Sequence, residues 1–163
     1  MILDVYFRKP LFWDYIIASI SSVTIIILYS KNKISIPDVQ DSYSLTGDLT
    51  NITLTLAGFI LTILTVLITF KDNSKETIED ENEPTFNKFF NTDFYYETVK
   101  HLKNCIKSII IIAALGFFLK LFLLGGYRKY FFFYNMFGLI ITILTIWRCL
   151  LILSKVLKLQ KPN

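Results

Sequence analysis

From Asp48 to Phe70 the sequence reads DLTNITLTLAGFILTILTVLITF, with no charge after its first residue. A bilayer-crossing helix needs about 20 residues, so this stretch is long enough. Its polar positions are ordered. At 100° per residue, Asp48, Asn51, Thr55, Gly58, Thr62, Thr65 and Thr69 fall within an arc of roughly 100°. Leu56, Ile60, Ile63, Leu64 and Leu67 occupy the opposite arc. The pattern predicts an amphipathic helix whose polar side carries no charge. In a membrane such a side is expected against another helix or a water-filled path rather than against lipid tails.

Three further apolar runs have the same reach, so the predicted spans are 11–29, 49–70, 105–124 and 130–153. The fold class that follows is all-α: a polytopic membrane protein forming one domain over 1–163, with four transmembrane helices in a bundle. Trp13, Tyr15 and Tyr29 sit at the ends of the first span, where interfacial aromatics belong. Pro37, Gly47 and several Asp and Ser residues mark 30–47 as a loop, with Thr46 or Asp48 capping the second helix. Residues 71–104 form the long loop. Within it Phe86, Phe89, Phe90 and Phe94 are spaced for a short interfacial amphipathic helix. Gly125 and Gly126 close the third span, and a tight turn at 127–129 makes the third and fourth spans an antiparallel hairpin. Lys120 and Arg148 lie near the ends of their spans, placed to snorkel, and Asp14 is at the boundary of the first.

Composition agrees. The chain is 53% hydrophobic and 16% aromatic, above the roughly 45–50% apolar usage of soluble domains. The net charge of +4 hides an asymmetry: all thirteen acids lie at or before Glu97, and the ten basic residues after it face none. Basic residues at helix ends suit anionic lipid. They are not gathered as direct nucleic-acid binding requires. With the N-terminus cytoplasmic, eleven Lys and Arg fall on the inner side and four on the outer, leaving out Lys120 and Arg148. Both termini are therefore expected in the cytoplasm.

The chemistry for catalysis is sparse. There is one histidine, His101, and no nucleophile–base pair, phosphate-binding loop or metal-ligand spacing stands out. Cys105 and Cys149 belong to no metal or redox motif. No enzyme, cofactor or metal is expected. The candidate residues are of another kind. Gly58–Thr65, GFILTILT, is echoed eighty residues later by Gly138–Thr145, GLIITILT. That pairs Asn51, Thr55, Gly58, Thr62, Thr65 and Thr69 with Asn135, Gly138, Thr142 and Thr145 as residues of a pore lining or helix seam. A parallel two-plus-two repeat would give such an echo, though the first and third spans do not share it. Glu79, Asp80, Glu81 and Glu83, with Phe86, Phe89 and Phe90, are the candidates for docking a soluble partner.

The run Leu56–Thr62, LAGFILT, with the threonines and aliphatics that follow, resembles a segment of small bacterial multi-span membrane effectors of phage defence, of the CRISPR-associated or nucleotide-triggered type. The resemblance implies an inner-membrane homo-oligomer that permeabilises the bilayer when a cytoplasmic protein or nucleotide signal arrives. Many such effectors carry a soluble sensor domain, and this sequence has none, so the signal would act on the 71–104 loop or through a partner. The other expected function is a non-conducting anchor or accessory subunit that docks a soluble protein through that loop.

Overall fold

The computed structural model describes Tyr6 and residues 9–74, 89–90, 92–123 and 125–158. Among these residues there is no strand. The described residues form four long helices: α1 (Pro10–Ser30), α2 (Val39–Ser74), α3 (Asp93–Phe122) and α4 (Phe131–Lys158). A 3-10 segment, Gly125–Tyr130, joins α3 to α4. All four are long and apolar enough to cross a membrane, and the all-α four-helix membrane bundle is what the structure shows.

Local chemistry sets the boundaries. Pro10 opens α1 at a position where a missing N–H costs nothing. At its other end Asn32 takes φ 53, and Asn32 and Lys33 donate their N–H groups to Tyr29 and Leu28. This left-handed stop satisfies carbonyls that the helix leaves open. Pro37 resists helix for the residue before it, and α2 begins two residues later.

The loop expected over 30–47 is therefore shorter, because α2 starts at Val39 and not beside Thr46 or Asp48. The polar residues that suggested a loop recur at helical spacing: Ser42, Thr46, Thr50 and Thr53 are all buried. The three threonine hydroxyls are satisfied locally, while that of Ser42 has no partner among the described residues. Thr46, Thr50 and Thr53 bond back to carbonyls one turn earlier, the habit that lets threonine persist within a helix. The long loop is corrected in the same way. Residues 93–104 belong to α3, because Tyr95, Thr98, Leu102 and Cys105 present one buried face. At about 1.5 Å per residue, the 36 residues of α2 outrun a ~30 Å hydrocarbon core. Its polar start lies beside Lys120 at the end of α3, and the polar start of α3 lies beside Lys71 near the end of α2.

Packing is uneven. α2 and α3 share the largest interface, α4 lies across both, and α1 rests on α4. The main core joins Ala57, Ile60, Leu64 and Leu67 of α2 to Leu102 and Ile109 of α3, and Phe89, Phe90 and Tyr95 close its end. Beneath α1, Ala18 meets Ile112 and Ile141. The arc of α2 predicted to be apolar is thus the buried one.

Gly116 marks the tightest approach. A Cβ there would collide with the hydroxyl of Thr50 and lie 2.9 Å from that of Tyr134, whereas nothing lies within 4 Å of a Cβ on Gly58. Gly116→Ala should therefore destabilise the fold by about 1–3 kcal/mol, lowering the thermal midpoint of the detergent-solubilised monomer. Gly58→Ala should leave that midpoint unchanged or raise it slightly, since alanine favours helix. Equal midpoints for the two variants would contradict the packing.

Candidate functional site

The threonine side of α2 faces outward. Asn51, Thr55, Gly58, Thr62, Thr65 and Thr69 are all exposed, centred roughly 180° from the buried Ile60. Each threonine donates its hydroxyl proton to the carbonyl one turn before it: Thr55 to Asn51, Thr62 to Gly58, Thr65 to Leu61 and Thr69 to Thr65, at 2.9–3.0 Å. With the proton turned back, the threonines offer the outward surface methyl groups and oxygen lone pairs, and the Asn51 amide is the one side-chain donor of the stripe.

This surface also repeats every seven residues. Asn51, Gly58 and Thr65 form one row, and Thr55, Thr62 and Thr69 the next. Large exposed aliphatics and one phenylalanine flank them: Leu54, Leu61 and Ile68 on one side, Ile52, Phe59 and Val66 on the other. A small, polar floor between two apolar ridges is a shape that helices of a coiled coil or membrane bundle pack against.

The matching residues of α4 do not join this stripe. Asn135, Thr142 and Thr145 are buried within the bundle. Asn135 Nδ2 donates to the Ser42 carbonyl at 2.8 Å, and its Oδ1 lies 2.9 Å from the Thr46 hydroxyl. Gly138 lets Leu49 and Ile112 approach. The sequence echo between α2 and α4 therefore carries opposite burial: α4 turns its copy towards the inner face of α2, and α2 turns its own away. The two sets form two surfaces, not one pathway.

Among the residues expected to dock a partner, Phe89 and Phe90 are buried beside Tyr95, at 2% and 1% exposure. Their rings lie edge to face with it and hold the end of the core. They are not available to a soluble protein. Glu79, Asp80, Glu81, Glu83 and Phe86 lie outside the described residues.

A buried ion pair lies where the sequence reading placed a snorkelling side chain. Arg148 does not snorkel. It is wholly buried, and its Nη1 donates to Asp14 Oδ2 at 2.7 Å, with Asp14 equally enclosed. Arg148 Nε donates to Cys105 Sγ at 3.3 Å, and the Tyr6 hydroxyl donates to Asp14 Oδ1 at 2.6 Å. Burial, and then its bond to Asp14, push the Tyr6 hydroxyl well up from its ordinary value, so it stays protonated as a donor. Arg148 Nη2 has no partner among the described residues, nor do the hydroxyls of Ser108 and Thr145, one turn away on α3 and α4. Cys105 and Cys149 are reduced and buried. The available signal for the pair was one acid and one base, each inside an apolar span near the same end of the bundle. Two such charges require each other. Lys120 does not extend freely either: its Nζ sits 4.3 Å from the Tyr43 ring centre, with Arg128 4.8 Å from the same ring.

No known protein-family model, curated protein or solved structure matches the chain.

Breaking a buried pair leaves a charge stranded, at a cost of about 3–5 kcal/mol. Arg148→Met and Asp14→Leu should each destabilise the detergent-solubilised protein by about that much. The double variant, with no charge left, should recover most of the loss. A double variant that is as unstable as the sum of the singles would show that the two side chains act independently.

Proposed function

We propose that the protein is a homo-oligomeric membrane pore in which α2 helices from several copies gather around a common axis, threonine stripe inward. One observation carries this reading: a seven-residue repeat of small and hydroxyl-bearing residues, exposed along three successive turns of the repeat on the outside of a bundle whose own core is already filled. A lipid-facing helix has no use for a repeated small, polar floor between apolar ridges. A helix seam does. The lone pairs of Thr55, Thr62, Thr65 and Thr69 would line the seam with acceptors, which suits water and cations. Leak along it would depolarise a membrane, the outcome implied by the resemblance of Leu56–Thr62 to defence effectors. The charge asymmetry supports placing the end bearing Tyr6 and Lys158 in the cytoplasm.

The anchor reading keeps one supporting feature. Lys71 Nζ donates to Tyr96 at 2.8 Å and stacks over Tyr95 and Tyr96, tying the projecting ends of α2 and α3 together. That builds a firm base from which the acidic segment departs.

Purified protein in liposomes should pass monovalent cations without any partner. Thr62→Val with Thr65→Val should lower the rate by about fivefold for each lost hydroxyl, from the roughly 1 kcal/mol value of a hydrogen bond. Thr24→Val is the control, because Thr24 is an exposed, back-bonded threonine on α1. Gly58→Leu should shift the protein in lipid nanodiscs from oligomer to monomer. A monomer that is silent in liposomes would leave the anchor reading in possession.

A second test addresses the orientation. Both natural thiols are buried, so single introduced cysteines report topology. A cysteine at the exposed Ser44 should react with an impermeant reagent from outside the cell, and one at Lys103 only after the membrane is opened.

A further inference from the structure

Two adjoining grooves run along α3 at the end of the bundle where α1 begins. One, of about 490 Å³, lies between α3 and the start of α1, with Lys9, Leu11 and Phe12 on one wall and Lys100 and Asn104 on the other. The next, of about 440 Å³, shares Lys100 and Asn104 and continues past Lys103 to Lys107. Together they make one open trough.

The side chains along it are ordered by depth. Tyr96, Lys100, Lys103 and Lys107 fall within roughly 60° on α3, and all are exposed. Immediately beyond Lys107 the same side of the helix becomes apolar and stays exposed: Ile110, Ile111 and Ala114. The wall from α1 makes the same change, from the exposed Lys9 to the exposed Phe12 and Trp13. Lys100 to Lys107 rises about 10 Å, enough to cross a headgroup layer of roughly 5–8 Å. The charges of the trough thus sit at headgroup depth, above a surface made for acyl chains.

These lysines are also uncommitted. No carboxylate lies within ion-pair distance of Lys100, Lys103 or Lys107 among the described residues, and none of the three rests on a ring. Among the described residues that line the trough, Glu97 is the one acid against four lysines. At the opposite end, by contrast, Lys120, Arg128 and Lys129 lie against tyrosine rings.

We propose that this trough is a binding site for an anionic phospholipid. Lys100, Lys103, Lys107 and Lys9 hold the headgroup phosphate, and the acyl chains run along Ile110, Ile111 and Ala114 of α3 and Phe12 of α1. The open, apolar continuation of the trough favours a lipid over a free phosphate. The site is on α1 and α3, away from the α2 stripe, so it stands or falls separately from the pore.

The test uses full-length protein in nanodiscs of mixed phosphatidylglycerol and phosphatidylcholine, extracted into detergent, with the retained lipid counted by native mass spectrometry. Lys100→Gln, Lys103→Gln and Lys107→Gln combined should lower retention of phosphatidylglycerol by about fivefold per lysine. The same three changed to Arg should keep it. Lys31→Gln, Lys33→Gln and Lys129→Gln, at the other end, should have no effect. Excess inorganic phosphate should fail to displace the lipid. Undiminished retention in the trough variant, an equal loss from the opposite-end variant, or displacement by inorganic phosphate would each overturn the proposal.

Discussion

A guanidinium inside an apolar bundle has to be neutralised and hydrogen-bonded, and Arg148 organises one end of this protein for that reason. Its two bonded neighbours come from separate helices, Asp14 of α1 on Nη1 and Cys105 of α3 on Nε, and Tyr6 holds Asp14 from behind. α1 has few other commitments. Of its residues only Pro10, Asp14 and Ala18 are buried, and its other contacts with α4 are Ala18 against Ile141 and two ring pairs, Tyr15 with Phe137 and Tyr29 with Phe133. Apolar burial gives a helix in a bilayer little reason to prefer protein over lipid. The charge pair supplies that preference.

The bundle handles uncharged polarity in two ways. Where Ser42, Thr46 and Asn135 meet, the groups satisfy one another across α2 and α4, and the contact is closed. Along Thr55 to Thr69 each hydroxyl is satisfied within its own helix, and the surface is left open on the outside. The same residue types therefore cement one face and keep another free for a neighbour. The first arrangement ties two helices of the chain together, and the second spends its hydroxyl protons within one helix and leaves the oxygen lone pairs on the outside.

The fold was legible because span length and apolar content are physical requirements of a bilayer, and they pick out four helices without reference to contacts. The extent of the helices was less legible. Polar composition over 38–47 and 93–104 reads as loop, yet Ser42, Thr46 and Thr98 are buried once α3 and α4 stand beside them. Periodicity correctly separated the two sides of α2. It could not tell that the α4 copy, Asn135 to Thr145, would turn inward, because a wheel fixes which residues share a face and not what that face meets. Arg148 was misread for a related reason. Depth along a helix alone permits snorkelling, and only the position of Asp14, 134 residues away, rules it out.

That separation has a bearing on assembly. α1 is synthesised before its docking partner α4, so Asp14 enters the boundary of the membrane long before its guanidinium exists. Until then the carboxylate has only the headgroup region to lean towards, and α1 is a loose helix beside a growing α2–α3 pair. The arrival of Arg148 is the event that completes the bundle. The ion pair thereby acts as a late latch, dividing insertion, which hydrophobicity drives helix by helix, from assembly, which waits for α4.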